Sequence, residues 1–154
     1  MSEAVPVGSQ APDFTLPSTS GEMVTLSAYR GSRNVLLAFF PAAFTSTCTR
    51  EMCEFSEDYG VYATHDTEVL PISVDQVPSL KAFQREEQFD VQVLSDARRE
   101  VTRAYGVLDE QRFSSRRSYF LIDKQGVLRW MHVESQGGQK RDTAELVRQL
   151  EALG

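Results

Sequence analysis

Hydrophobic positions along the chain switch repeatedly between two periods, and the switches mark out its elements. Asn34 to Phe40, "NVLLAFF", is a continuous apolar run of strand length stopped by Pro41, the pattern of a strand buried on both faces. From Phe44 the spacing becomes helical. At 100° per residue, Cys48, Met52, Phe55, Tyr59 and Tyr62 fall in one arc, which predicts an amphipathic helix beginning near Thr45 and running past Tyr62. "TEVLPISVD" reads as a second buried strand and "VPSLKAFQREEQF" as a helix with Pro78 in its first turn. "DARREVTRAYGV" follows as a short helix, and "SYFLIDKQGVLRWMHV" as a hairpin turning at "DKQG". The closing helix, in "RDTAELVRQLEAL", carries Leu146, Leu150 and Leu153 on one face. Ahead of all these, "APDFTLPSTSGEMVTLS" alternates in short runs broken by Pro12, Pro17 and Gly21, as a β-hairpin does.

Strands alternating with helices, then a hairpin and a terminal helix, imply an α/β fold: a thioredoxin-like three-layer sandwich around a central mixed β-sheet. No repeat, low-complexity tract or long linker interrupts the 154 residues, so residues 1–154 are expected to form a single domain. A hydrophobic content of 41% suits one full core. The formal charge of −6, with lysines and arginines scattered, argues against nucleic acid as a partner. The first residues lack a basic stretch followed by an apolar one, and no apolar run has membrane-spanning length, so a cytoplasmic protein without membrane association is expected.

The chemistry concentrates in "FFPAAFTSTCTREMCEF", which holds both cysteines. Cys48 falls in the first turn of its helix, where free backbone N–H groups and the positive end of the dipole favour an anion such as a thiolate. Cysteines so placed can have pKa values of roughly 3.5–7.5 and act as nucleophiles; a small buried hydrophobe is the plainer role. Cys53 lies about 140° around the helix, off the apolar stripe, and its Cα is roughly 8.5 Å from that of Cys48. That exceeds the ~7 Å a disulfide spans, so bridging requires the first turns to unwind.

Other chemistries fit less well. A C-x-x-C oxidoreductase has two intervening residues where this chain has four, and His65 and His132 have no metal-ligand spacing to either cysteine, so no metal site is expected. A cysteine hydrolase would need one of those histidines folded back beside Cys48, and no glycine-rich nucleotide motif is present.

"PAAFTSTC" fits the P-x-x-x-T-x-x-C signature of the peroxiredoxins, with Pro41, Thr45 and Cys48 on a strand-to-helix junction. "VGSQAPDFTL", "VLPISVDQVPSLKAF" and "RRSYFLID" extend the resemblance across nearly the whole chain. Within the family the active-site stretch is most similar to the alkyl hydroperoxide reductase E type. Its C-x4-C spacing resembles the bacterioferritin comigratory protein (Q) type, whose resolving cysteine lies five positions after the peroxidatic one. The resemblance makes Cys48 the peroxidatic nucleophile, Cys53 the candidate resolving cysteine, Thr45 a donor to the peroxide and Pro41 a shield for the thiolate. Arg116 and Arg117 are adjacent candidates for the active-site arginine; strand alternation sends them to opposite faces, and the family's R-x-x-F spacing to Phe120 selects Arg117. Glu51 matches an acidic residue that orients that arginine, and the apolar neighbours Phe40, Ala43 and Phe44 are expected at the substrate pocket. The implied cycle uses no metal, haem or flavin cofactor. It reduces hydrogen peroxide and organic hydroperoxides through a Cys48 sulfenic acid, closes a disulfide with Cys53, and is recycled by thioredoxin or a glutaredoxin- or mycoredoxin-like dithiol. A homodimer is implied as well. The alternative is a peroxide-sensing switch whose oxidation changes partner binding without turnover.

Overall fold

The computed structural model describes residues 5–136 and 138–153. In chain order the elements are β1 (Thr15–Pro17), β2 (Met23–Thr25), β3 (Asn34–Phe39), α1 (Ser46–Glu57), α2 (Tyr59–Thr64), β4 (Thr67–Ser73), α3 (Val77–Glu87) and β5 (Leu94–Ser95). They continue as α4 (Glu100–Ala104), β6 (Leu108–Asp109), β7 (Ser114–Ser115), β8 (Ser118–Ile122), β9 (Leu128–Val133) and α5 (Thr143–Glu151). The main sheet has the order β5-β4-β3-β8-β9; β3 runs parallel to β4 and antiparallel to β8, so the sheet is mixed. No helix among the described residues is long and apolar enough to cross a membrane.

The period-2 pattern of β3 sorts its side chains onto two cores. Val35, Leu37 and Phe39 pack on one face with Phe120, Ile122, Tyr105 and the N-terminal Phe14 and Leu16. Leu36, Ala38 and Phe40 pack on the other with Cys48, Met52 and Phe55 of α1, Phe83 of α3, and Leu146 and Leu150 of α5. Aromatic rings knit the first core, with Tyr105 to Phe120 centroids 5.0 Å apart and Phe39 to Phe120 5.7 Å apart in an edge-on arrangement. Each such buried ring contributes about 1.5–3 kcal/mol of transfer free energy. Helices α1, α2, α3 and α5 cover one face. The β1–β2 hairpin, the 3-10 turn at Leu26–Tyr29 and the short α4 cover the opposite one, so the outer layer there is partly strand and turn.

The helical pattern expected to run from Thr45 past Tyr62 is divided. α1 ends at Glu57 and α2 resumes at Tyr59, with Asp58 between them at φ −98°, ψ 10°. Asp58 accepts the Thr143 hydroxyl of α5 at 2.5 Å, a tertiary bond that the periodicity does not register. Tyr62 stays in the core, whereas Tyr59 leaves it and donates to Glu68 Oε1 on β4 at 2.5 Å. The other expected strands and helices form; the "DARREVTRAYGV" helix shrinks to the five residues of α4, and the two-residue strands β5, β6 and β7 are additions.

Candidate active site

The strands bring the reactive residues together at one end of the sheet. β3 finishes at Phe39, whose register partner on the antiparallel β8 is Ser118, so Arg117, one residue before β8, arrives beside the loop leading to α1. That loop is pinned by Asp75, just beyond β4, whose Oδ2 accepts the Ala43 N–H at 2.9 Å and the Ser73 hydroxyl at 2.9 Å. Phe44 adopts φ +65°, uncommon for a residue with a bulky side chain, and turns the chain into the helix while its ring leans on Phe83, centroids 5.2 Å apart. Thr45 is the N-cap residue in extended geometry, its carbonyl accepting the Thr49 N–H at 2.9 Å. Its hydroxyl donates back to the Ala42 carbonyl at 3.1 Å and does not cap the helix. The N–H groups of Ser46, Thr47 and Cys48 belong to the first turn, where intrahelical acceptors are missing.

Cys48 is the third residue of α1 and its side chain is 0% exposed. Arg117 Nη2 lies 3.0 Å from its sulfur. The same guanidinium, itself 2% exposed, reaches Glu51 Oε1 through Nη1 at 2.5 Å. Glu51 sits one turn beyond Cys48 on the same side of the helix, as i to i+3 spacing demands. Burial opposes the charge on Arg117, but Glu51 and Cys48 outweigh it and hold the guanidinium firmly protonated. Burial pushes the Glu51 carboxyl up, against the pull of Arg117 and a hydrogen bond from Tyr119, so its proton returns above the usual carboxylate range.

A second tier that sequence reasoning missed stands behind this cluster. The Tyr119 hydroxyl donates to Glu51 Oε2 and accepts the Arg141 backbone N–H at 3.0 Å. Arg141 in turn is clamped by buried Glu134 at 2.7 and 3.2 Å. The available signal was modest: Tyr119 follows Arg117 by two residues on a strand and therefore shares its face. Arg116, the alternative, is exposed, with a long 3.4 Å contact to the Glu134 carbonyl. A polar cavity of about 370 Å³ opens beside the site, lined by Pro41, Arg112, Arg116, Arg117 and Glu134 among others.

Of the three residues expected at the substrate pocket, none lines that cavity. Phe40 is fully buried in the core against Phe83, Ala43 is partly buried against the same cluster, and Phe44 is 50% exposed. Alternation along β3 sends Phe40 inward, away from the loop that follows it. Cys53 is half-buried, packing against the core cluster; its thiol points to the Glu87 carbonyl at the end of α3, 3.8 Å away. Burial together with Glu57 and Glu87 pushes that thiol up. His132 is engaged with Glu134 at 3.2 Å and His65 with the Val61 carbonyl at 3.0 Å, so neither is set as a base for Cys48. Among the described residues no group of three His, Cys, Asp or Glu side chains converges as a metal site.

A sulfur at a helix N-terminus, removed from water and met by a buried guanidinium from the neighbouring strand, defines a thiol-based redox enzyme on a thioredoxin-like scaffold. The family model of the AhpC/TSA family matches residues 7–131. Alkyl hydroperoxide reductase E of Mycobacterium tuberculosis is 38% identical over 138 residues, 88% of this chain and 90% of that protein. Peroxiredoxin 2 of Thermoplasma acidophilum is 36% identical over 154 residues, 96% of this chain and 75% of that protein. Among solved structures, the reduced 2-Cys peroxiredoxin of Plasmodium vivax superposes with a TM-score of 0.88 at 25% identity, covering 96% of this chain and 81% of that one. AhpC of Enterococcus faecalis gives the same TM-score and identity, covering 96% and 91%. The chain belongs to the AhpC/TSA family of peroxiredoxins and is a thiol peroxidase.

Proposed function

We propose that Cys48 is the peroxidatic nucleophile and that Cys53 resolves it. The observation that carries the reading is the 3.0 Å contact between Arg117 Nη2 and the Cys48 sulfur, both of them buried at the first turn of α1. The Cys48 thiolate attacks the protonated oxygen of a hydroperoxide, forming an S–O bond as the O–O bond breaks. The sulfur is oxidised to a sulfenic acid, and the leaving alkoxide or hydroxide takes a proton from solvent. Arg117 and the free N–H groups of the first turn supply preorganised donors for charge moving along the O–O axis. Thr45 has one hydroxyl to offer, which turns from the Ala42 carbonyl to the peroxide, while Pro41 walls the mouth of the cavity.

The Cys53 thiolate then attacks the Cys48 sulfenic sulfur and expels hydroxide, giving a disulfide. Both cysteines lie within α1, and an intact helix holds their Cα atoms roughly 8.5 Å apart, so this step follows unwinding of the first turns. A dithiol such as thioredoxin, or a glutaredoxin- or mycoredoxin-like protein, reduces the disulfide by two exchange steps. The family relationship also supports a homodimer in the cytoplasm, for which sedimentation equilibrium measures the assembly.

The deciding experiment couples peroxide consumption to thioredoxin and thioredoxin reductase. Wild type turns over many times, Cys48→Ser does not react, and Cys53→Ser oxidises once and proceeds to sulfinic acid. Undiminished thioredoxin-coupled turnover by Cys53→Ser refutes the resolving role and leaves the Cys48 assignment standing.

A further inference from the structure

Glu51 has two carboxylate oxygens, and they are treated differently. Oε1 takes Arg117 Nη1 at 2.5 Å, whereas Oε2 takes the Tyr119 hydroxyl. A carboxylate and a guanidinium left to themselves close a two-armed pair, both oxygens accepting both N–H arms. Here that pair is one-armed, and the second arm of Arg117 goes to the Cys48 sulfur at 3.0 Å. The phenol that holds Oε2 is fixed from behind: its oxygen accepts the Arg141 N–H at 3.0 Å, and the Arg141 side chain is locked onto Glu134 and Glu145 at 2.7 and 3.3 Å. Burial and the Glu51 charge push the Tyr119 phenol far up, so it stays protonated and remains a donor. A phenylalanine would fill the same space in this core; the hydroxyl adds the bond to Glu51 and the one it accepts from the Arg141 N–H.

We propose that Tyr119 is a positioning residue for the peroxidase reaction: by holding the second oxygen of Glu51 it fixes the rotation of the carboxylate, so that one arm of Arg117 meets Oε1 and the other stays on the Cys48 sulfur. This rests on the assignment of Cys48 as nucleophile. Without the hydroxyl, the Glu51 carboxylate can turn both oxygens toward Arg117, which draws the second arm and weakens its bond to the sulfur. Tyr119 touches neither peroxide nor sulfur and acts through Glu51.

The test is a double-mutant cycle in a Cys53→Ser background, with single-turnover oxidation of Cys48 followed by rapid quench, alkylation and mass spectrometry. Tyr119→Phe is expected to lower the second-order rate constant about tenfold, a fraction of the loss from deleting an oxyanion donor outright. It is also expected to lower the ultraviolet thiolate absorbance at neutral pH. In a Glu51→Gln background, where no two-armed ion pair can close, Tyr119→Phe changes the rate less than about twofold, because coupled residues are non-additive. A Tyr119→Phe rate within about twofold of its parent, an equal loss in both backgrounds, or an increased thiolate absorbance overturns the proposal. Loss of the nucleophile assignment itself would show separately, as retained peroxide reactivity in Cys48→Ser. Circular dichroism of each variant confirms that the rates belong to folded protein.

Discussion

Replacing Arg117 by lysine tests the active-site geometry while sparing the fold. Arg117 uses two arms at once, Nη2 on Cys48 at 3.0 Å and Nη1 on Glu51 at 2.5 Å, and the residue is only 2% exposed. A lysine ammonium is a point charge that keeps the net charge but cannot present the planar fork spanning both partners. It settles on the buried carboxylate, whose unpaired charge is the costlier to leave. The sulfur then loses one charge-assisted hydrogen bond, worth about 2–3 kcal/mol in such surroundings. At 1.36 kcal/mol per decade the peroxide rate constant falls roughly 30- to 150-fold.

Stability responds in the opposite sense. Arg117→Lys leaves Glu51 paired and is expected to unfold within about 1 kcal/mol of wild type, whereas Arg117→Ala strands a buried carboxylate and costs about 3–5 kcal/mol. Stopped-flow peroxide consumption and thermal unfolding on the same three proteins separate the two effects. A lysine variant that reacts within about twofold of wild type would show that the second arm contributes nothing to the reaction, and the assignment of Arg117 as an electrostatic donor would fail.

The proposed resolution by Cys53 carries its own pH signature. Because burial, Glu57 and Glu87 raise the Cys53 thiol, its reactive thiolate is scarce at neutral pH, and disulfide formation speeds up as pH rises through and above the ordinary thiol range. Glu87→Gln removes one of the negative neighbours, lowers that pKa and accelerates the step at neutral pH about two- to threefold, a modest factor because the site is part-exposed and screened; an unchanged or slower step refutes it. Thr45→Val is expected to slow peroxide reduction about tenfold with little change in melting temperature, since this hydroxyl makes no helix cap, and Thr45→Ser restores most of the rate. Gln88 closes α3 at φ 57° in the left-handed region; Gln88→Gly relieves about 1 kcal/mol there and raises the melting temperature by roughly 2–4 °C without altering Cys48 kinetics, as differential scanning calorimetry and single-turnover rates would record.

What the sequence disclosed and what it concealed divide along contact range. β3 and β4 were readable because burial on both faces leaves an unbroken apolar run, and the first turn of α1 because Pro41 and the switch of period announce it. Cys48, Arg117 and Glu51 were picked out from a motif, and the structure brings their side chains together at 2.5 and 3.0 Å. The interruption at Asp58 depends on Thr143, 85 residues away, and the tie from Tyr119 to Glu51 spans 68 residues. No local period carries such information. Cys53 looked solvent-facing on its own helix because the end of α3, which packs over it, is invisible at that scale.

These long-range ties set a conflict at the centre of the proposed cycle. The residues of the first turns around Cys48 are polar and mostly at the surface, Thr45, Ser46, Thr47, Thr49 and Arg50, so their own packing opposes unwinding weakly. Glu51 lies in the same stretch and is bound on both oxygens, by Arg117 and by Tyr119. Opening the first turns far enough to bring Cys53 to Cys48 pulls that buried carboxylate off Arg117 and Tyr119. Separating such a buried pair costs about 3–5 kcal/mol, which limits the open form to one molecule in roughly 150 to 5,000. In the proposed cycle the contacts that prepare Cys48 for peroxide therefore delay its rescue by Cys53. At high peroxide a second oxidation competes with that delayed step, so variants that loosen Glu51 should lose speed toward peroxide and gain resistance to sulfinic acid formation together.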